Sequence, residues 1–186
     1  GIPTDDEPVL IDISASITTI GLCTRLHAEG GRLEHPWLLD AKGRPSDDPA
    51  VMFTDPPGSI LPTGGLDHGH KGYGLALMIE ALTQGLSGLG RSDGVTEWGA
   101  AVYVQVLDPE AFAGQGPFVA QTAWLAQACR ANPPAPGVDA VRLPGQRALE
   151  RKRQALAEGV ELYPGILEAL GERARAAAIP LPNPKS

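Results

Sequence analysis

"GHKGYGLALMIEALTQGLSG", residues 69–88, is the stretch from which the rest of the chain is most readily understood. Leu75, Met78, Ile79, Leu82 and Leu86 recur at close to 3.6-residue spacing, which predicts a helix, and the small residues between them allow burial on most sides. Gly72, Gly74, Gly85 and Gly88 work against that helix, because each internal glycine costs up to ~1 kcal/mol relative to alanine. Something must therefore approach the backbone closely, either a neighbouring helix or a ligand. Lys71 stands at the head of this helix, where backbone N–H groups and the positive end of the helix dipole would favour a phosphate or carboxylate. Neither a G-x-x-x-x-G-K-[ST] loop nor a G-x-G-x-x-G turn after a strand is present, so the spacing matches no standard phosphate-binding motif.

Outward from this helix, "PVLIDIS" (8–14) and "WGAAVYVQVLDP" (98–109) read as buried strands, the second with the near-continuous apolar content of a central strand. "DAVRLPG" (139–145) reads as a third, short strand. Residues 15–28 follow the first strand as a helix with Ser14 or Ser16 near its cap, and residues 29–66 read as one long irregular stretch. Further helices are expected at "PFVAQTAWLAQACRAN", "QRALERKRQALAEGVEL" and "PGILEALGERARAAAI", the last entered through a proline in its first turn. Strands alternating with helices give an α/β class.

Composition sets the outer bounds. With 186 residues, 42% hydrophobic and 20% charged, the chain is long enough for one domain with a core. A net charge of −7 without a continuous basic stripe argues against a nucleic-acid partner. No apolar run is long enough to suggest a membrane span, and the two cysteines, Cys23 and Cys129, are expected as free thiols in a reducing, cytoplasmic compartment. The chain opens at Gly1 on "GIPTDDEP", which suggests a piece of something longer.

Each candidate chemical group has a plainer reading beside it. His68 and His70 form an H-x-H pair with no further Cys/His cluster, so no metal site is expected. Asp12, at the end of the first strand, suits a sugar hydroxyl or equally a helix cap. Gln146 and Arg147 lie at the mouth of a helix, where a guanidinium suits phosphate, though a solvated first-turn arginine has the same sequence. Asp40, Asp47 and Asp48 read as turn formers.

"LIDISASITTIG", "PWLLDAKGRPSDDPA", "ILPTGG" with the glycine-rich helix, and "LPGQRALERKRQALAEGVEL", in that order, resemble the malate/L-lactate dehydrogenase-like family of NAD(P)-dependent oxidoreductases. The resemblance covers essentially the whole chain and implies a non-Rossmann nicotinamide-binding α/β fold, present in part, with residues 1–186 forming a cofactor-binding domain plus C-terminal helices. It implies cofactor contacts at Asp12, Ile13, Ser14, His70, Lys71, Gly145, Gln146 and Arg147, with Gly72 and Gly74 admitting the cofactor and Gly85 and Gly88 serving close helix packing. It implies NAD or NADP as cofactor, a small 2-hydroxy or 2-oxo acid or cyclic imine acid as substrate, hydride transfer as the reaction, and a homodimer.

Two departures stand out. Where the family carries an arginine and a following charged residue near the substrate, this chain reads Thr19-Ile20-Gly21-Leu22, leaving Ile20 and Gly21 at the substrate-contact positions. None of His27, His35, His68 and His70 fits the family's catalytic histidine, which belongs to an upstream part, so the catalytic role is unassigned and this chain alone is expected to be inactive. A catalytically silent cofactor-binding homologue, and an interaction domain that dimerises through the small-residue helix, are the alternatives.

Overall fold

The computed structural model describes residues 1–94, 96–97 and 99–181. Two compact units result: Ile13–Leu107, and Gly1–Asp12 together with the described part of Asp108–Ser186.

In the first unit, helix α1 (Ile20–Ala28) starts five residues later than the sequence suggests, because Thr19 and not Ser14 or Ser16 caps it, its hydroxyl accepting from the Leu22 N–H. The Ser14 and Ser16 hydroxyls donate instead to the carbonyls of Ser16 and Thr18. The stretch 29–66 is built rather than irregular. Strand β1 (Leu38–Leu39) lies between β2 (Pro45–Ser46) and β3 (Ser59–Ile60), antiparallel to both, with Leu38 opposite Ser46 and Ile60. Two-residue strands leave no alternating pattern to read, yet they carry Leu38 into the centre of a core with Cys23 and Leu33. Burial pushes the Cys23 thiol up, so it stays protonated and inert.

Asp40 closes the β1–β2 turn, accepting from the N–H groups of Lys42 and Arg44 at 2.9 Å and from the Arg44 guanidinium at 2.7 Å. These bonds, the Arg44 N–H foremost, hold its carboxyl at about 2 against the usual 3.8. A carboxyl lowered on folding contributes stability above its unfolded value and loses it as pH falls through the folded one. Stability should therefore fall between pH 4 and pH 2, and Asp40→Asn should flatten that part of the profile, measured by denaturant unfolding at successive pH values.

Helix α2 (Gly65–Glu80) bears out the glycine-rich helix and continues through a π-helical turn, Ala81–Gly85. It starts earlier than the periodicity indicates and is kinked at His68, whose backbone is non-helical (φ −131°, ψ 21°). Residues 8–14 are not a buried strand. Val9 forms an isolated bridge with Ile2, and Ile11 and Ile13 are exposed. Nor do the described residues of 98–109 form a strand: 99–108 carry no strand pairing, while Trp98 lies outside the described residues. Residues 139–145 likewise form no strand.

The second unit is helical, with α3 (Gln115–Ala131), α4 (Gln146–Glu158) and α5 (Ile166–Ala176) close to their expected positions, except that α5 is entered through a left-handed Gly165 (φ +83°) and Pro164 lies before its first turn, not in it. Its N-terminal segment is tied in by the Leu10 N–H donating to the Pro144 carbonyl at 3.1 Å, by the Thr122 hydroxyl donating to the Pro3 carbonyl, and by an ion pair between Glu7 and Arg153. Of the α/β expectation, the helices stand, and among the described residues the sheet is reduced to three short strands.

Candidate functional site

The kink at His68 divides α2, so Gly69, His70 and Lys71 occupy the first turn of its longer arm. Backbone N–H groups at such a turn face the helix entrance and carry the positive end of the dipole. Lys71 is exposed and has no ion pair or hydrogen bond among the described residues, which leaves its ammonium available to an anion. His70 is exposed as well.

Gly72 explains how this turn is held. Its N–H donates to the Thr63 carbonyl at 3.0 Å, the Thr63 N–H donates to the Ala15 carbonyl at 2.8 Å, and the Thr63 hydroxyl donates to the Ser14 carbonyl at 2.9 Å. A Cβ at Gly72 would stand 2.6 Å from the Thr63 carbonyl oxygen and 2.9 Å from that of Ala15. The space at Gly72 thus belongs to the chain's own backbone, correcting the expectation that it admits a cofactor. Thr63, which sequence reasoning passed over, joins Ser14 to the Lys71 turn; its one sequence signal is its place before Gly64-Gly65 at the helix entrance. The close-packing roles expected of Gly85 and Gly88 change too. Gly74 has open space around it, Gly85 meets nothing nearer than its own helix's Glu80 carbonyl at 3.7 Å, and Gly88 is left-handed (φ +69°) with nothing within 4 Å, so it ends the helix rather than packing against another.

Ile13 and Ser14 are exposed on the segment that Thr63 fixes. Further along it Thr18 is buried, its hydroxyl without a partner among the described residues. An exposed, unpaired ammonium beside a helix entrance suits a group that bears phosphate, and the unpartnered hydroxyl leaves one polar atom of the segment still to be satisfied. Ile20 and Gly21 are exposed in the first turn of α1, whereas Leu22 packs against the Cys23–Leu33–Leu38 core. An apolar side chain at 22 is therefore accounted for by packing.

The second unit holds the other expected contacts. Asp12 is exposed and makes no hydrogen bond among the described residues, so it caps no helix. Gly145 precedes α4 in the left-handed conformation (φ +87°), against Leu10. Gln146 is occupied locally: its carbonyl accepts from the Leu143 N–H at 3.4 Å and its amide donates to Glu150 at 3.1 Å. Arg147 and Arg142 line an open cavity of about 560 Å³ beside Gly145, and neither has an ion-pair partner among the described residues. Two unpaired guanidinium groups suit phosphate or carboxylate oxygens.

No three His, Cys, Asp or Glu side chains gather as metal ligands among the described residues. Cys23 and Cys129 are free thiols. No helix among the described residues is long and apolar enough to cross a membrane.

The malate/L-lactate dehydrogenase family profile matches residues 1–171, and the chain belongs to that family. It is 29% identical over 186 residues to an L-lactate dehydrogenase of Cupriavidus necator, a match taking in 98% of this chain and 52% of the relative. It is 28% identical to a malate dehydrogenase of Pyrococcus horikoshii, over 95% of this chain and 51% of that protein. Among solved structures, the malate dehydrogenase of Entamoeba histolytica superposes with a TM-score of 0.81 at 21% identity, over 98% of this chain and 55% of the other, a likeness of fold. The chain spans about half the length of the curated relatives it matches.

Proposed function

We propose that this chain is the nicotinamide-binding part of an oxidoreductase that moves a hydride between NAD or NADP and the C2 carbon of a small 2-hydroxy or 2-oxo acid. The observation that carries the reading is the exposed, unpaired Lys71 in the first turn after the α2 kink, tied through Gly72 and Thr63 to Ser14. Lys71 would meet a cofactor phosphate, with His70, Ile13 and Ser14 as neighbouring contacts. Asp12, Gly145, Gln146 and Arg147 are proposed as further contacts on the strength of the family resemblance, and the free guanidinium of Arg147 supports its own part most directly. The cofactor supplies the hydride chemistry, while the protein's part is binding and orientation. The fragment contributes no assigned acid/base of its own, so a 2-oxo acid is expected to be reduced by the complete protein and not by these 186 residues alone.

The relatives' names, L-lactate dehydrogenase and malate dehydrogenase, support small hydroxy acids as the substrate class. One observation favours a silent homologue: Ile20, at a position where the family resemblance implies a guanidinium, is an exposed apolar side chain offering nothing to a carboxylate. Steady oxidation of NADH or NADPH by the longest chain its coding sequence supports, across a panel of 2-oxo and cyclic imine acids, separates the two. Turnover on any of them supports the enzyme; a folded, cofactor-binding protein with no turnover supports the silent homologue.

A further inference from the structure

Thr63 is joined to its surroundings through three polar groups. Its N–H donates to the Ala15 carbonyl at 2.8 Å, its carbonyl accepts from the Gly72 N–H at 3.0 Å, and its hydroxyl donates to the Ser14 carbonyl at 2.9 Å. Any side chain that left the backbone in place would keep the first two bonds, whereas the bond to Ser14 requires a hydroxyl or another side-chain donor. The backbone offers no substitute for it. Residues 15–17 are tied to 61–63 by the Thr63 N–H and by the Ile17 N–H, which donates to the Leu61 carbonyl at 2.9 Å, on either side of the isolated bridge between Ser16 and Pro62. Pro62 has no N–H to add. Beyond Thr63 the chain turns: Gly64 is left-handed (φ +101°), and the Gly65 N–H donates to the Pro62 carbonyl at 2.9 Å. No backbone N–H among the described residues reaches the Ser14 carbonyl, and the Thr63 hydroxyl supplies the donor.

We infer that Thr63 is a positioning residue for the cofactor site: its hydroxyl holds the main chain at Ser14 in register with the turn that carries Lys71, so that the two contacts are presented together. The inference rests on the reading of Lys71 and Ser14 as cofactor contacts. Every group it joins lies within the unit Ile13–Leu107. Residues 13–19 form neither helix nor paired strand beyond the bridge at Ser16, so hydrogen bonds must select their conformation. A segment left unselected has to be ordered when the ligand binds, and that ordering is taken from the affinity. Thr63 does the selecting beforehand, and its carbonyl carries the same register to Gly72, next to Lys71.

Titration of NADH and NADPH into the longest chain its coding sequence supports tests this with two variants: Thr63→Val, which keeps the shape and removes the hydroxyl, and Thr63→Ser, which keeps the hydroxyl. Well below its unfolding transition, Thr63→Val should bind the cofactor about tenfold more weakly, and Thr63→Ser should bind within about twofold of the parent. A hydroxyl that serves stability alone would lower the unfolding midpoint of Thr63→Val and leave the affinity of the folded protein unchanged. That result, with Lys71→Ala still weakened, overturns the inference and leaves the cofactor site standing. Thr63→Ser binding as weakly as Thr63→Val overturns it too, because the hydroxyl is then not the cause. A folded parent that binds neither cofactor overturns the site and this inference together. If Thr63→Val does not fold, hydrogen exchange in the parent decides: saturating cofactor should slow the Thr63 and Gly72 amides about tenfold or more, and unchanged rates overturn the inference.

Discussion

Gly72→Ala is expected to destabilise the chain by about 2–4 kcal/mol, although alanine is the better helix former. The propensity gain at a helix interior is up to ~1 kcal/mol. Against it, the new Cβ would press on the backbone of Thr63 and Ala15, at 2.6 Å from one carbonyl oxygen and 2.9 Å from the other. Overpacking costs about 1–3 kcal/mol, and each of the two backbone hydrogen bonds through Thr63 contributes about 1 kcal/mol that the displacement puts at risk. Cost exceeds gain. Gly74→Ala, two residues on in the same helix with nothing within 4 Å, provides the control and should be neutral or stabilise by up to ~1 kcal/mol. Denaturant unfolding of both variants reads the difference. Equal effects at 72 and 74 would mean that the Ser14–Thr63–Gly72 connection does not hold the site.

Gly145→Ala carries the second large effect, for a different reason. Position 145 is left-handed (φ +87°), which costs a residue with a Cβ about 1–2 kcal/mol. The added methyl would also stand 3.0 Å from both the backbone nitrogen and the carbonyl oxygen of Leu10, whose N–H bonds the neighbouring Pro144 carbonyl. The two terms together should remove about 2–4 kcal/mol, measured as a loss of unfolding free energy. Because Leu10 and the α4 entrance move apart to relieve the contact, the cavity that Arg142 and Arg147 share would change with them. A variant as stable as the parent would contradict this packing.

The helices were legible where periodicity is strong, α2 through its leucine and isoleucine spacing and α4 through its polar face, while α5 stands close to its expected place although Gly165, not the expected first-turn proline, leads into it. The strands were not. Residues 8–14 and 99–107 have strand composition, but composition speaks only of what a segment pairs with when partners are present, and no described residue forms a ladder with either. The small sheet has no signature in the sequence because Leu38–Leu39, Pro45–Ser46 and Ser59–Ile60 are each too short to alternate. Within the site, Lys71 at a helix entrance was readable from order alone. The kink at His68 that sets that entrance was not, nor was Thr63, whose part depends on contacts spanning 49 residues to Ser14. A glycine at 72 does signal a close approach to backbone, but the approaching group is the chain itself.

Titration calorimetry of NADH and NADPH into the longest chain its coding sequence supports, with Lys71→Ala beside the parent, tests the central claim most directly. Binding of one or both cofactors, weakened about tenfold or more in the variant, is the expected result and equals the ~1.4 kcal/mol of one charged phosphate contact. A folded parent that binds neither cofactor, or a variant that binds as tightly as the parent, would contradict the assignment of the α2 entrance as a nicotinamide-cofactor site.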